Sequence, residues 1–293
     1  MSGLSSSEFI YVKPSHNGQK VTAVCLILAL LYVAHAFWKG QIAWEYVEDN
    51  LFTSSVLNGV LNMIIMTFLS MVLGIALGTI TAVVRMSDNK VLRAAAGFYI
   101  WLFRGTPALL QLLLWFNLAL IFPTISLFGF FPIQTVDVMT PFVAALVGLG
   151  VQQGAYTAEV VRAGILSIDK GQLEAAQSIG MTRSRAMLRI ILPQAMRVIV
   201  PPIGNETIGM VKLTSLASVI QYAEVLRSVE NIYYANSRVI ELLIVAAIWY
   251  LVVVTVLNIG QFYLERYFSR GWGIRKVKVS APKTASTELV KED

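Results

Sequence analysis

Between Val56 and Val84 the sequence carries no charged residue. A run this long exceeds the roughly 20 apolar residues that one helix needs to cross hydrocarbon. Five more apolar stretches accompany it: Val21–Trp38, Pro107–Phe122, Pro141–Val161, Ala195–Ile220 (interrupted by Pro201-Pro202) and Ile240–Tyr263. Lipid forces each spanning segment to satisfy its own backbone, which leaves helices and closed barrels. The runs are too long and unbroken for barrel strands of about 9–11 residues. The reading is an all-α, polytopic membrane protein of six transmembrane helices. Composition agrees: 14% of the 293 residues are charged and 56% are hydrophobic, against roughly 25% charged in soluble domains.

The net charge is +6. In a soluble chain that excess would raise nucleic acid as a partner. Here the charges sort by loop, and membrane orientation explains them without nucleic acid. Arg85, Lys90, Arg93 and Arg104 oppose Asp88 in one loop; Arg162, Lys170, Arg183, Arg185 and Arg189 oppose Asp169 and Glu174 in another. Arg266, Arg270, Arg275, Lys276 and Lys278 follow the last run. The alternate loops are acidic or balanced: Lys39 faces Glu45, Glu48 and Asp49, and Asp137 stands alone. Glu224 and Glu230 balance Arg227 and Arg238. Basic loops stay cytoplasmic, so six spans put both termini inside. Residues 1–20 read as a cytoplasmic N-terminus, 21–55 as an additional helix with its outer loop, 56–264 as the main membrane-spanning domain and 265–293 as a basic tail. The first run has a rival reading as a cleaved signal segment, with Ala34-His35-Ala36 as the cleavage site. Cys25 lies alone in an apolar run, and His16 and His35 have no acidic cluster near them in sequence. No disulfide or metal site follows.

The loop at about 165–193 is the most informative. Gln172–Ile179 favours a short helix. Gly180 then permits a turn that a residue with a Cβ resists. A second helix follows, and Pro193 marks the approach to the next span. A helix-turn-helix outside the membrane is either a docking element or an interfacial amphipathic helix without a partner.

Glu174-Ala175-Ala176, three residues, Gly180, nine residues, Ile190, one residue, then Leu192-Pro193 resembles the cytoplasmic loop of bacterial ATP-binding cassette importer permeases. Phe103-Arg104-Gly105-Thr106-Pro107 and Gly154-Ala155-Tyr156-Thr157-Ala158-Glu159 resemble signatures of the polar amino-acid branch, covering histidine, glutamine, arginine, glutamate and opine types. Lys170-Gly171-Gln172 and Pro193-Gln194-Ala195 also fit. The resemblance covers about 56–264, a five-helix permease core, with the first span as an addition. It implies that the short helix sits in a groove of a cytoplasmic ATP-binding subunit dimer. It further implies a second permease, identical or sister, and an extracytoplasmic amino-acid-binding protein. One position departs: Lys212-Leu213-Thr214-Ser215-Leu216 stands where the family often has Lys-Asp-Thr-Ser-Leu, so the resemblance assigns Lys212 no partner.

No Gly-x4-Gly-Lys-Ser/Thr phosphate loop occurs in the chain. The resemblance therefore places ATP and Mg on the partner, with no cofactor and no catalysis here. A secondary transporter would instead show paired repeats and interrupted helices in corresponding halves, and a membrane enzyme would need a nucleophile or metal motif. A polar amino acid crossing hydrocarbon needs partners for a carboxylate and an ammonium. The candidates are Glu206 for the ammonium, Lys212 for the carboxylate, Thr214 and Ser215 as neutral donors, and Gln152 or Gln153 from across the path. Glu206 and Lys212 are six apart, about 600° around a regular helix, and share a face only if Pro201-Pro202, Gly204 and Gly209 bend it. Gly74 and Gly78 form a small-xxx-small pair, Glu159 and Arg162 can pair at i,i+3, and Arg104 reads either as positioning its span or as a snorkelling interfacial arginine.

Overall fold

The computed structural model describes residues 17–127 and 130–268. In chain order they form α1 (Asn17–Lys39), α2 (Trp44–Leu51), α3 (Ser54–Arg85), α4 (Lys90–Gly105) and α5 (Ala108–Phe116). Next come strands β1 (Thr124–Leu127) and β2 (Phe130–Gln134), then α6 (Thr135–Val138), α7 (Pro141–Leu166), α8 (Lys170–Ser178) and α9 (Arg183–Ala186). The chain ends with α10 (Leu192–Leu213), α11 (Val225–Asn236) and α12 (Val239–Phe268). Four stretches are long and apolar enough to cross a membrane unaided: Gly18–Lys39, Ser54–Arg85, Arg183–Ile220 and Val239–Phe268.

The third and fourth expected spans differ from these for two reasons. α7 has 26 residues, about 39 Å at 1.5 Å per residue, which is long enough. It is less apolar because it runs through the middle of the bundle, where neighbours cover it instead of lipid. The third expected span is not one helix. α5 has only nine residues, about 14 Å, and the segment before it is not a loop. Residues 90–105 form α4, which packs on α3 and α7 and buries Ala96 and Ile100. Asn89 starts α4 by accepting hydrogen bonds from the N–H groups of Val91 and Leu92. Pro107 has no N–H and biases Thr106 away from helix, so the chain breaks there. Gln111 bridges the break: its Nε2 donates to the carbonyls of Phe103 at 3.0 Å and Thr106 at 3.1 Å. Those carbonyls would otherwise lack donors in a dry environment.

Between helices in lipid there is little hydrophobic driving force, so close packing holds the bundle. The α3–α7 pair is its main seam. A Cβ on Gly74 would lie 2.5 Å from Gln153 Cγ, and one on Gly78 would lie 2.6 Å from Thr157 Cβ. The small-xxx-small pair therefore serves packing within the chain, pressing α3 against the one turn of α7 that carries polar side chains.

One end of the bundle gathers α2, α11 and the starts of α3 and α12. The buried Glu224 carboxylate accepts from the N–H of Arg227 at 3.0 Å, capping α11, and from the Tyr250 hydroxyl of α12. Glu241, also buried, accepts from the N–H of Ala43 at 3.3 Å, and Tyr222 donates to the Asn62 carbonyl at 3.1 Å. The loop expected at 123–139 contains the antiparallel β1–β2 hairpin, a small addition to the helical fold. No α1 residue from Gly18 to Lys39 is buried. The opposite end gathers the last turn of α3, the first turn of α4, α8, α9 and the start of α10.

Candidate functional site

Two places are candidates for function. The first is the helix pair α8–α9. Asp169 caps α8 by accepting from the Gly171 N–H at 2.6 Å. The helix ends in a double turn: the Gly180 N–H reaches the Gln177 carbonyl at 2.9 Å, and the Met181 N–H reaches the Ala176 carbonyl at 3.1 Å. This is the Schellman arrangement, which needs a left-handed residue after the helix. Gly180 supplies it with φ +83°. Nothing lies within 4 Å of where its Cβ would stand, so the backbone conformation, and not internal crowding, demands glycine. Thr182 then starts α9 with a long 3.4 Å contact to the Arg185 N–H.

The second helix does not stop before the span. α9 passes through a wide π turn, Met187–Ile191, directly into α10. Pro193 lacks the N–H that a regular helix would use, and a π turn immediately before it absorbs the mismatch. Arg183 to Ile220 is thus one continuous lever of 38 residues. Of the loop residues singled out from sequence, Ala176 is buried against this lever and Ile190 and Leu192 are half-buried; Glu174, Ala175, Gly180 and Pro193 are exposed. Ile179, 77% exposed, and Leu188, 65% exposed, put apolar side chains on the outside of the loop. A cleft of about 780 Å³, lined by Val83, Met86, Ile165, Leu173 and Met187 among others, separates it from the bundle. The Arg183–Asp88 contact across it is 3.9 Å and exposed, worth little. An apolar outer surface and loose inner attachment suit an element that is gripped and moved by another chain.

The second place is one turn of α7, at Gln153, Tyr156 and Thr157. The spacing i, i+3, i+4 puts all three on one face. Gln153 Nε2 donates to Glu206 Oε2 at 2.6 Å, and the Thr157 hydroxyl donates to the same oxygen at 3.3 Å. Gln153 and Thr157 are buried and Glu206 is half-buried. Gln153 lies about 18 Å below the start of α7, and Glu206 about 21 Å above the start of α10, by helical rise. Both therefore sit near the middle of the bundle. The Arg104 guanidinium, from the end of α4, lies over the Tyr156 ring at 5.2 Å. One turn of α7 is flanked by the Glu206 carboxyl group from α10 and the Arg104 guanidinium from α4.

The structure thus joins Gln153 to Glu206 and leaves the other pathway candidates elsewhere. Lys212 is exposed, on another face of α10. Thr214 and Ser215 donate their hydroxyls to the carbonyls of Val211 and Lys212, both at 2.7 Å, closing the end of the helix. Gln152 is buried beside Gln153 on α7. Glu159 and Arg162 pair at 2.6 Å as the spacing allows. Sequence reasoning missed the roles of Tyr156 and Thr157. The signal was present: both lie in the Gly-Ala-Tyr-Thr-Ala-Glu stretch, at helical spacing from Gln153. Among the described residues no group of three or more His, Cys, Asp or Glu could hold a metal.

Comparison with known proteins gives a consistent answer. The chain is 41% identical over 266 residues to an arginine transport system permease of Corynebacterium glutamicum, covering 89% of this chain and 84% of that one. It is 38% identical to an L-cystine transport system permease of Bacillus subtilis, covering 78% and 92%. A crystal structure of an amino acid ABC transporter with histidines superposes with a TM-score of 0.65 at 34% identity, covering 74% of this chain and 95% of that chain. The family described as binding-protein-dependent transport system inner membrane component matches residues 74–270. The chain belongs to that family: it is a membrane-spanning transport subunit, not an enzyme.

Proposed function

We propose that this chain is the permease of an ATP-driven importer that carries a polar amino acid inward by alternating access. The observation that carries the reading is the exposed, glycine-dependent turn at Ile179-Gly180, which closes a docking helix joined without interruption to α10. A cytoplasmic ATPase dimer, holding ATP and Mg, grips α8. Its closure moves α9 and α10 as one lever. Glu206 rides on that lever, at the polar turn of α7.

A second permease, identical or sister, completes the path, and an extracytoplasmic binding protein delivers the substrate to the end built from α2 and α11. Residues 165–193, the last turn of α3 and the termini face the cytoplasm; the basic excess supports this, as does the meeting of Val83–Asp88 with α8 at one end of the bundle. Residues 56–264 form the transport core, preceded by residues 1–20 and an additional helix and outer loop at 21–55, and followed by a basic tail at 265–293. Glu206 and Gln153 contact the substrate ammonium. Lys212, about 9 Å further out along α10 by helical rise, belongs with Thr214 and Ser215 to the outer approach, and Gln152 lies beside Gln153 across the path. The relatives named above are arginine and L-cystine transport system permeases, and a further relative carries the name of a glutamine ABC transporter permease; these set the substrates to try.

The test is uptake into proteoliposomes holding the complete transporter and its binding protein, with labelled L-arginine, L-cystine and L-glutamine. ATP-dependent uptake of at least one, with apparent affinity lowered about tenfold or more in Glu206→Gln, is expected. Uptake that proceeds without ATP contradicts the importer. Unchanged kinetics in Glu206→Gln remove Glu206 from the path.

A further inference from the structure

Arg104 is an unusual arginine for this environment. It is exposed at the end of α4, and among the described residues no carboxylate lies within 4.0 Å of its guanidinium. Charged groups inside a spanning bundle are costly, and they persist where they meet a partner or a water-filled path. The neighbours of Arg104 hold it without neutralising it. The Tyr156 ring covers one face of the guanidinium at 5.2 Å, which fixes its plane and leaves its N–H edges free. Glu206 and Glu159 are near enough to act on it through space, yet each is engaged elsewhere. Glu206 accepts from Gln153 and Thr157. Glu159 is paired with Arg162 at 2.6 Å.

The break after α4 explains why the side chain stays there. Arg104 occupies the last turn of α4, where a cation meets the negative end of the helix. Gln111 and Thr106 tie that end down: Gln111 Nε2 donates to the Thr106 hydroxyl at 2.8 Å, and the Thr106 hydroxyl donates to the Leu102 carbonyl at 2.9 Å. Tyr99, one turn earlier, donates to the Val151 carbonyl at 2.6 Å and anchors α4 to α7. The arginine is therefore mounted on a fixed helix end, facing the turn of α7 that also receives Glu206.

We propose that Arg104 binds the α-carboxylate of the transported amino acid while Glu206 receives its α-ammonium. A guanidinium offers two parallel N–H donors to a carboxylate, a geometry that a lysine cannot match. An α-amino acid places its two charges on adjacent carbons, so one turn of α7 flanked by a cation and an anion is matched to the backbone that all such substrates share. The side chain of the substrate is then read elsewhere. Lys212, on another face of α10, is not the carboxylate ligand. This assignment rests on the reading of Glu206 as a substrate contact.

The experiment measures equilibrium binding to the complete purified transporter in nanodiscs, without binding protein. The probes are L-arginine, L-cystine and L-glutamine, and the methyl ester of whichever binds. The ester keeps the ammonium and loses the carboxylate charge. The wild type should prefer the free acid by at least about tenfold, the scale of a charge-assisted hydrogen bond. Arg104→Gln should remove that preference by weakening the acid and sparing the ester, and Arg104→Lys should restore part of it. Glu206→Gln should weaken acid and ester alike.

Arg104→Gln weakening both probes equally would make the residue structural and overturn the proposal, as would unchanged acid binding. If Glu206→Gln changes neither probe while Arg104→Gln erases the preference, the Glu206 reading falls and Arg104 stands. Failure of all three amino acids to bind the wild type overturns both.

Discussion

Gly180 is the residue where sequence and structure meet most directly. The motif and the turn both ask for glycine, and the φ of +83° with empty space around the missing Cβ gives the reason. Gly180→Ala should cost about 1 kcal/mol locally, because a Cβ resists the left-handed region, while Gly180→Asn should cost less. Both should insert and assemble; hydrogen exchange across 176–182 would register the difference.

Glu224 was read from sequence only as part of a balanced outer loop, and its burial was not legible, since partners on α12 and α3 are remote in the chain. Burial pushes its carboxyl above the ordinary 4.5, against the hydrogen bonds from Tyr250 and the α11 backbone. The group therefore favours folding in its protonated form. That contribution is complete below pH 4.5 and is lost as pH rises through the higher folded value. Thermal melts across this window should show stability falling as pH rises, and Glu224→Gln, which keeps the acceptor without the charge, should flatten the slope. An unchanged slope in the variant would assign the effect to another group.

At the scale of elements, hydropathy located α3, α7, α10 and α12 and missed α4. Val56–Val84 lies within α3, and Ile240–Tyr263 lies within α12. α4 escaped notice because its arginines and lysine made it look like a loop, although its Tyr99, Ile100 and Ala96 face other helices. The Thr106-Pro107 break was legible as the start of a helix, but the helix before it was not. Pairings between elements were not legible at all: nothing in the α3 sequence says that its glycines meet Gln153 and Thr157. That seam is testable. Gly74→Val would force side-chain atoms into Gln153, whose Cγ lies 2.5 Å from a bare Cβ. Overpacking at such a contact should cost about 1–3 kcal/mol, seen as a lower melting temperature in detergent. It should also disturb the Gln153–Glu206 hydrogen bond and so reduce substrate affinity. A variant as stable as the parent would mean that the seam gives way easily.

At the scale of the molecule, α9 and α10 join a surface to the interior. The loop surface was readable from its motif. The interior polar turn was half readable, as Gln153 and Glu206, and its third and fourth members needed the fold. Orientation follows from charge and is open to direct labelling: a cysteine at Arg185 should react with a membrane-impermeant maleimide only after the cells are opened. Labelling in intact cells would invert the topology and with it the placement of the ATPase.

We propose that force enters at the Ile179-Gly180 turn and is used at Glu206. The most direct measurement is ATP-driven amino-acid uptake by proteoliposomes carrying the Gly180→Asp transporter, with ATPase binding and hydrolysis followed on the same sample. The carboxylate would need solvation in the docking groove, and the Cβ would strain the turn. The account predicts a protein that inserts and assembles at its normal stoichiometry, hydrolyses ATP, and imports at a small fraction of the wild-type rate. Import at the wild-type rate with normal assembly would contradict it.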